Sequence, residues 1–319
     1  MTCFDVFNGD ADGICSLVQL RLAAPAESTL ITGVKRDIDL LKHVEATVGD
    51  VVTVLDISMQ KNAAELHRVL GTGASVSYFD HHQSGDIPNH PALSAHIDLS
   101  PTTCTALIVD QFLKQRFHLW AMTAAFGDNL TEVAETLAKQ AGLSEKDALA
   151  LQQLGIALNY NGYGSSVEDL FYHPADLYRQ CVAFTTPLDF IHERSDIFNR
   201  LNDGYHQDMS AAQQAPLIYQ SDSVAVVLLP QEAWARRVGG VFGNDLANRY
   251  PDRAHAVLTP LDNTSYVVSI RAPLNQRHGA SDVASQFATG GGRAGAAGIN
   301  VLPEQAVTQL IDALKQQYQ

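Results

Sequence analysis

The strongest constraint on this chain is a repeated ending: three apolar, strand-like runs each stop on acidic or imidazole side chains. "CFDVF" runs into Asn8, Asp10 and Asp12, "DVVTVLDIS" reaches Asp56, and "SVSYFDHH" closes on Asp80, His81 and His82. Around them "GICSLVQLRLAA", "IDLLKHVEA" and "NAAELHRVLG" carry helical spacing, and "STLITGV" reads as a further strand. Strands alternating with helices imply a parallel, doubly wound sheet whose ligands gather at the carboxyl ends of the strands. The acid-bearing ends then share one edge. Asp-Ala-Asp-Gly by itself equally suits a turn or a helix N-cap. Several carboxylates on one edge, joined by Asp128 of "AFGDN", repel one another unless cations lie among them. Carboxylate oxygens with imidazole nitrogen suit Mn²⁺, with Mg²⁺ or Co²⁺ as alternatives.

The net charge of -14 opposes a protein that coats long nucleic acid, because that binding rests on many Lys and Arg neutralising phosphates. No long duplex DNA is therefore expected as a partner. Residues 1–219 carry 13 basic and 27 acidic side chains, and residues 220–319 carry eight of each. Such an acidic excess serves solubility in many chains. No run approaches the roughly 18 apolar residues of a membrane helix, so no membrane partner is expected. The N-terminus lacks a secretory pattern, and Cys3, Cys15, Cys104 and Cys181 lie scattered without zinc spacing. Both features fit a cytoplasmic protein with free thiols. Oligomeric state stays open, a homodimer being among the arrangements the sequence allows.

At 319 residues the chain is long enough for two domains. From Thr102 to about Asp208 the spacing is mostly helical, interrupted by loop chemistry in "NYNGYGSS", where Tyr160, Asn161 and Tyr163 either pack or contact a base. After Gln213, "SVAVVLLP", "HAVLTPL" and "SYVVSIRAP" read as strands, and "EAWARRVGGVFGNDLANRY" as a helix. The expected architecture is α/β: a doubly wound, mainly parallel N-terminal domain over residues 1–205 that includes a helical connector, a linker over 206–220, and a smaller α/β domain over 221–319.

"NGDADG", "VVTVLDIS", "YFDHH" and "FGDN", in this order, resemble the four motifs of the DHH phosphoesterase superfamily. "ATGGGRAGAAGIN" resembles the glycine-rich signature of the DHH-associated substrate domain, and "VVSIRAP" the strand before it. The resemblance covers nearly the whole chain. It implies a metal-dependent phosphodiesterase in which two ions activate a water. Asp10 would bind one ion, Asp12 the other, and Asp56 both; His81 and Asp128 would complete the second ion's sphere. Asp80 would ligate or support the neighbouring imidazole, and His82 would face phosphate or donate a proton to the leaving group. Gly290, Gly291 and Gly292 would form a loop that lets backbone approach the substrate, with Arg271 at a strand end and Arg293 inside that loop as phosphate clamps.

Two positions depart from the family pattern. Asn8 stands where His or Asp is usual, and a neutral amide is a weak ligand. Arg293 stands where the signature has His, and it cannot act as a base near neutral pH. The expected substrates are short oligonucleotides, dinucleotides or other small nucleotides. The alternatives are a nucleotide-binding sensor with weakened catalysis, or a phosphatase acting on a small phosphorylated nucleotide or pyrophosphate.

Overall fold

Alternation of buried side chains in the first strands decides that both faces of the sheet are covered. The computed structural model describes all residues, Met1–Gln319, and separates two units, Met1–Gly204 and Tyr205–Gln319. The first begins with β1 (Cys3–Phe7), α1 (Ala11–Ala23), β2 (Thr29–Ile31), β3 (Val51–Leu55), α2 (Ala63–Gly71), β4 (Ser75–Asp80) and β5 (Leu93–Ile97). All five strands are parallel, in the order β2-β1-β3-β4-β5. Val6, Val54 and Tyr78 pack on one face with Leu66 and Val69 of α2. Phe7, Leu55 and Phe79 turn to the other face.

That second face is covered by helices: α3 (Thr105–Phe112), α4 (His118–Gly127), α5 (Thr131–Gln140), α6 (Glu145–Asn161), α7 (Pro174–Cys181) and α8 (Pro187–Glu193). Trp120 of α4 and Leu154 of α6 join Ile14 and Leu17 of α1 in one core, so the helical region is a layer of this unit. Because β1 pairs with β2 on one side and β3 on the other, its carboxyl end is where the winding reverses, which is the usual ligand position in such sheets. No helix is long and apolar enough to cross a membrane, and all four cysteines are free.

α9 (Ser195–Gln213) leads into the second unit, followed by β6 (Leu217–Gln220), β7 (Val224–Leu228), α10 (Ala233–Arg249), β8 (Ala254–Pro260), β9 (Ser265–Arg271), α11 (Ala280–Ala284), β10 (Gly290–Arg293), β11 (Ala296–Pro303) and α12 (Val307–Tyr318). Its six strands run in the order β10-β11-β9-β8-β7-β6, with only β7 and β8 parallel. Val226, Leu258, Ile270 and Ile299 form its core with Leu310 and Leu314 of α12.

Three segments differ from the sequence reading. Residues 206–220 are not a linker: Met209 and Ala212 of α9 pack with Val227 and Phe242, and β6 follows at the sheet edge. "IDLLKHVEA" forms only a short 3₁₀ turn, Leu40–His43, and Arg68 donates to the carbonyls of Leu41 and Val44 at its end. The glycine-rich signature is a hairpin of β10 and β11 rather than a loop.

Candidate metal centre

The site starts from the capping of α1. Asp10 is the N-cap residue, its Oδ1 accepting from the backbone N–H of Asp12 at 3.0 Å and of Gly13 at 3.1 Å. A side chain at residue 13 would meet the Asn8 carbonyl oxygen at 2.1 Å, so this close turn needs glycine. Asp12, in the first turn of the helix, accepts from the N–H groups of Thr105 and Ala106, both at 2.7 Å. Carboxylates thus meet the N-terminal ends of both α1 and α3, where helix dipoles favour negative charge. Asp56 leaves β3 with φ of 59°, a left-handed conformation that costs on the order of 1 kcal/mol for a residue with a side chain. The backbone N–H of Asp56 donates to Phe79 O at 3.1 Å, and its Oδ1 accepts from Thr105 Oγ1 at 3.1 Å.

Around this frame His81 Nε2 lies 3.4 Å from Asp56 Oδ1 and 3.8 Å from both Asp12 Oδ2 and Asp128 Oδ2. Single ligand atoms from Asp12, His81 and Asp128 fall within 4.8 Å of one another, as do those from Asp56, His81 and His82. Burial, with Asp12 and Asp10 adding repulsion, pushes the Asp56 carboxyl well above the carboxylate range. The same causes push Asp128 up to about 6. Three carboxylates and one imidazole gathered this closely, with Asp56 and Asp128 both pushed toward the neutral form, fit a divalent cation, whose charge relieves that repulsion.

Asp80 stands apart from this group. Its Oδ1 holds His82 Nδ1 at 2.7 Å, and that hydrogen bond raises the imidazole's pKa. His82 is half-exposed, and the Asp80 bond fixes how its ring is oriented. Asn8 is buried; its Nδ2 donates to the Lys35 carbonyl at 3.2 Å, while its Oδ1 has no hydrogen-bond partner. Lys35, like Thr105, is a residue the sequence reading missed. Its Nζ lies 2.6 Å from Asp10 Oδ2, 2.9 Å from Asn159 Oδ1 and 3.7 Å from Asp128 Oδ1. Burial pushes the Asp10 carboxyl up, but the Lys35 charge together with hydrogen bonds from Lys35, the Gly13 N–H and Asp56 outweighs it, and the net direction is down. Asn8, Asp10, Lys35, Asp56, His81, His82 and Asp128 line a cleft of ≈ 390 Å³ together with Ser58, Gln60 and Lys61.

No protein-family model matches the sequence, and no curated protein is similar to it in sequence. Solved structures match its fold. Exonuclease RecJ bound to manganese is 16% identical at a TM-score of 0.65, over 99% of this chain and 89% of that one. The pGpG-specific phosphodiesterase PggH from Vibrio cholerae is 16% identical at a TM-score of 0.56, over 99% of this chain and 98% of that one. The chain has the fold of the DHH superfamily. RecJ from Thermus thermophilus in complex with Mn²⁺ is 17% identical at a TM-score of 0.61, over 99% of this chain but 51% of that one. The present chain therefore spans about half the length of that protein.

Within this DHH fold the second unit carries the residues expected to grip substrate. Gly290 and Gly292 are explained by packing: a Cβ would lie 1.8 Å from Ala284 O at the first and 2.5 Å from Ala297 Cα at the second. Gly291 is different, since a Cβ there would meet nothing within 4 Å. Arg293 ends the same edge strand and is exposed. Arg271 is not an open fork: its guanidinium donates to Asn244 Oδ1 at 2.6 Å, Ser269 Oγ at 2.9 Å, Ile270 O at 3.0 Å and Gly240 O at 3.1 Å. In the first unit, Tyr160 and Asn161 are buried, and Asn161 bonds both backbone groups of Tyr172, which makes them packing residues. Tyr163 lies under Lys35 Nζ, 5.7 Å from its ring centroid.

Proposed function

We propose that the protein hydrolyses phosphodiester bonds in short oligonucleotides or dinucleotides with a divalent cation, Mn²⁺ first among the candidates, held by Asp12, Asp56, His81 and Asp128. The observation that carries this reading is the convergence of those four side chains at the carboxyl edge of the sheet, beside the cleft. When bound, a divalent cation there supplies charge that shields phosphate oxygens and acidifies water. The chain's own residues complete the chemistry. The Asp80 hydrogen bond favours the charged form of His82 and orients its ring, so that its Nε2 proton can pass to a leaving oxygen. Lys35 and Lys61 bring positive charge to the cleft, suiting an anionic substrate. In the second unit, Gly291 leaves backbone open to close approach and Arg293 offers a fork for phosphate.

A short substrate is supported by the charge balance, since a net -14 chain can hold a few phosphates locally but not many along its surface. It is also supported by the likeness to PggH, a pGpG-specific phosphodiesterase of nearly the same extent. The test is turnover in Mn²⁺ of pApA, an RNA pentamer, a cyclic dinucleotide, 3′-phosphoadenosine 5′-phosphate and pyrophosphate. The expected result is cleavage of a dinucleotide or the pentamer that chelation abolishes. Silence across the panel, from folded protein that binds both metal and nucleotide, would replace this reading with a nucleotide sensor.

A further inference from the structure

We propose that the ammonium of Lys35 takes the place of a first metal ion at Asp10, so that the centre works with one divalent cation and one fixed lysine charge. The inference rests on the divalent-cation reading above and concerns how the charge is divided.

What sets Asp10 apart from Asp12, whose two oxygens each meet only a neutral backbone N–H, is that a cation already sits on it. Its Oδ1 is engaged by two backbone N–H groups, and its Oδ2 by Lys35 Nζ at 2.6 Å. The lysine is anchored along its length: its backbone N–H donates to Gly162 O at 2.7 Å, its carbonyl accepts from Asn8, and its Nζ also meets Asn159 Oδ1 at 2.9 Å. Asn8 reinforces the arrangement, because it is neutral and its amide donor is committed to the lysine backbone. Charge counting points the same way. Asp10, Asp12, Asp56 and Asp128 supply four negative charges, while Asp80 is committed to His82. One dication plus the ammonium brings three positive charges to them; two dications plus the ammonium would bring five. An ion on Asp10 would also sit beside the ammonium in a buried setting, where like charges repel strongly. Lys35 would then do permanently what a first ion does, placing positive charge at the cleft where a phosphate oxygen arrives.

Ion number answers this independently of turnover. Metal-free protein would be saturated with Mn²⁺, the bound ions counted by native mass spectrometry, and magnetic coupling read by electron paramagnetic resonance. The expected result is one Mn²⁺ per chain with an uncoupled spectrum, unchanged in Lys35→Arg, and a second ion taken up by Lys35→Met. Two exchange-coupled ions in the unaltered protein would overturn the lysine inference and leave the phosphodiesterase reading standing. No bound ion in the folded protein would overturn both. A folded Lys35→Met that still holds one ion would overturn the lysine's role in setting the number.

Discussion

The carboxylate edge of the first unit and the glycine strand of the second are built in opposite ways. At the edge, Asp10, Asp12 and Asp56 are buried, and backbone N–H groups or a hydroxyl fix where their oxygens stand. On the strand, Gly291 and Arg293 are exposed. The contrast teaches where each kind of chemistry can be placed. Groups that must concentrate charge on one ion need burial and prior positioning, which cost conformational freedom and electrostatic repulsion before any ligand arrives. Groups that recognise a flexible anion need access instead.

The largest effect should come from Asp56→Asn. Asn tolerates the left-handed backbone at this position, so the fold should survive. Removing a charge from the cation site should lower kcat on the order of 10³-fold, the scale of losing one preorganised electrostatic group. Metal-free Asp56→Asn should at the same time melt above the metal-free parent, because burial and the neighbouring carboxylates disfavour the native charge. Calorimetry with and without Mn²⁺ reads this sign. A metal-free mutant that melts lower would mean that the carboxylate edge is not under the repulsion described.

Next in size is the pairing of Asp80 with His82. If His82 donates a proton, activity falls as the pH rises through its pKa. The Asp80 hydrogen bond raises that pKa, so the alkaline limb of kcat should lie above the imidazole's ordinary value of 6.5. Asp80→Asn should move the limb to lower pH and lower the rate at alkaline pH, while Mn²⁺ affinity changes little. An unmoved limb would assign the proton transfer to another group.

How much of this could be read from the sequence follows the same divide. Asp56 and the Asp80-His81-His82 run follow apolar strands, so strand periodicity with the carboxyl-edge rule places them together before any coordinates exist. Lys35 escaped because it follows "STLITGV", a strand whose end carries no carboxylate or imidazole to draw attention to it, and β2 itself stops at Ile31. Applying the edge rule to that short strand as well would have brought Lys35 into view. Thr105 escaped for another reason: its contacts to Asp12 and Asp56 join residues 93 and 49 apart, and nothing local signals them. The engagement of Arg271 escaped as well, because its partners Asn244 and Gly240 lie on α10, which only the packed second unit brings against β9.

The smallest effect tests the glycine strand, and it separates packing from recognition within three consecutive residues. Gly292→Ala should destabilise the second unit by about 1–3 kcal/mol, since φ is 146° and the new Cβ would lie 2.5 Å from Ala297 Cα. Gly291→Ala should melt like the parent, because its Cβ enters open space. If substrate approaches that backbone closely, the same methyl group should raise KM by up to about tenfold, or ~1.4 kcal/mol, with kcat little changed. Parental KM with a parental melting temperature would show that substrate does not rest on Gly291. The access seen at that strand would then serve only the fold, and substrate recognition would have to be assigned to the cleft at the carboxylate edge.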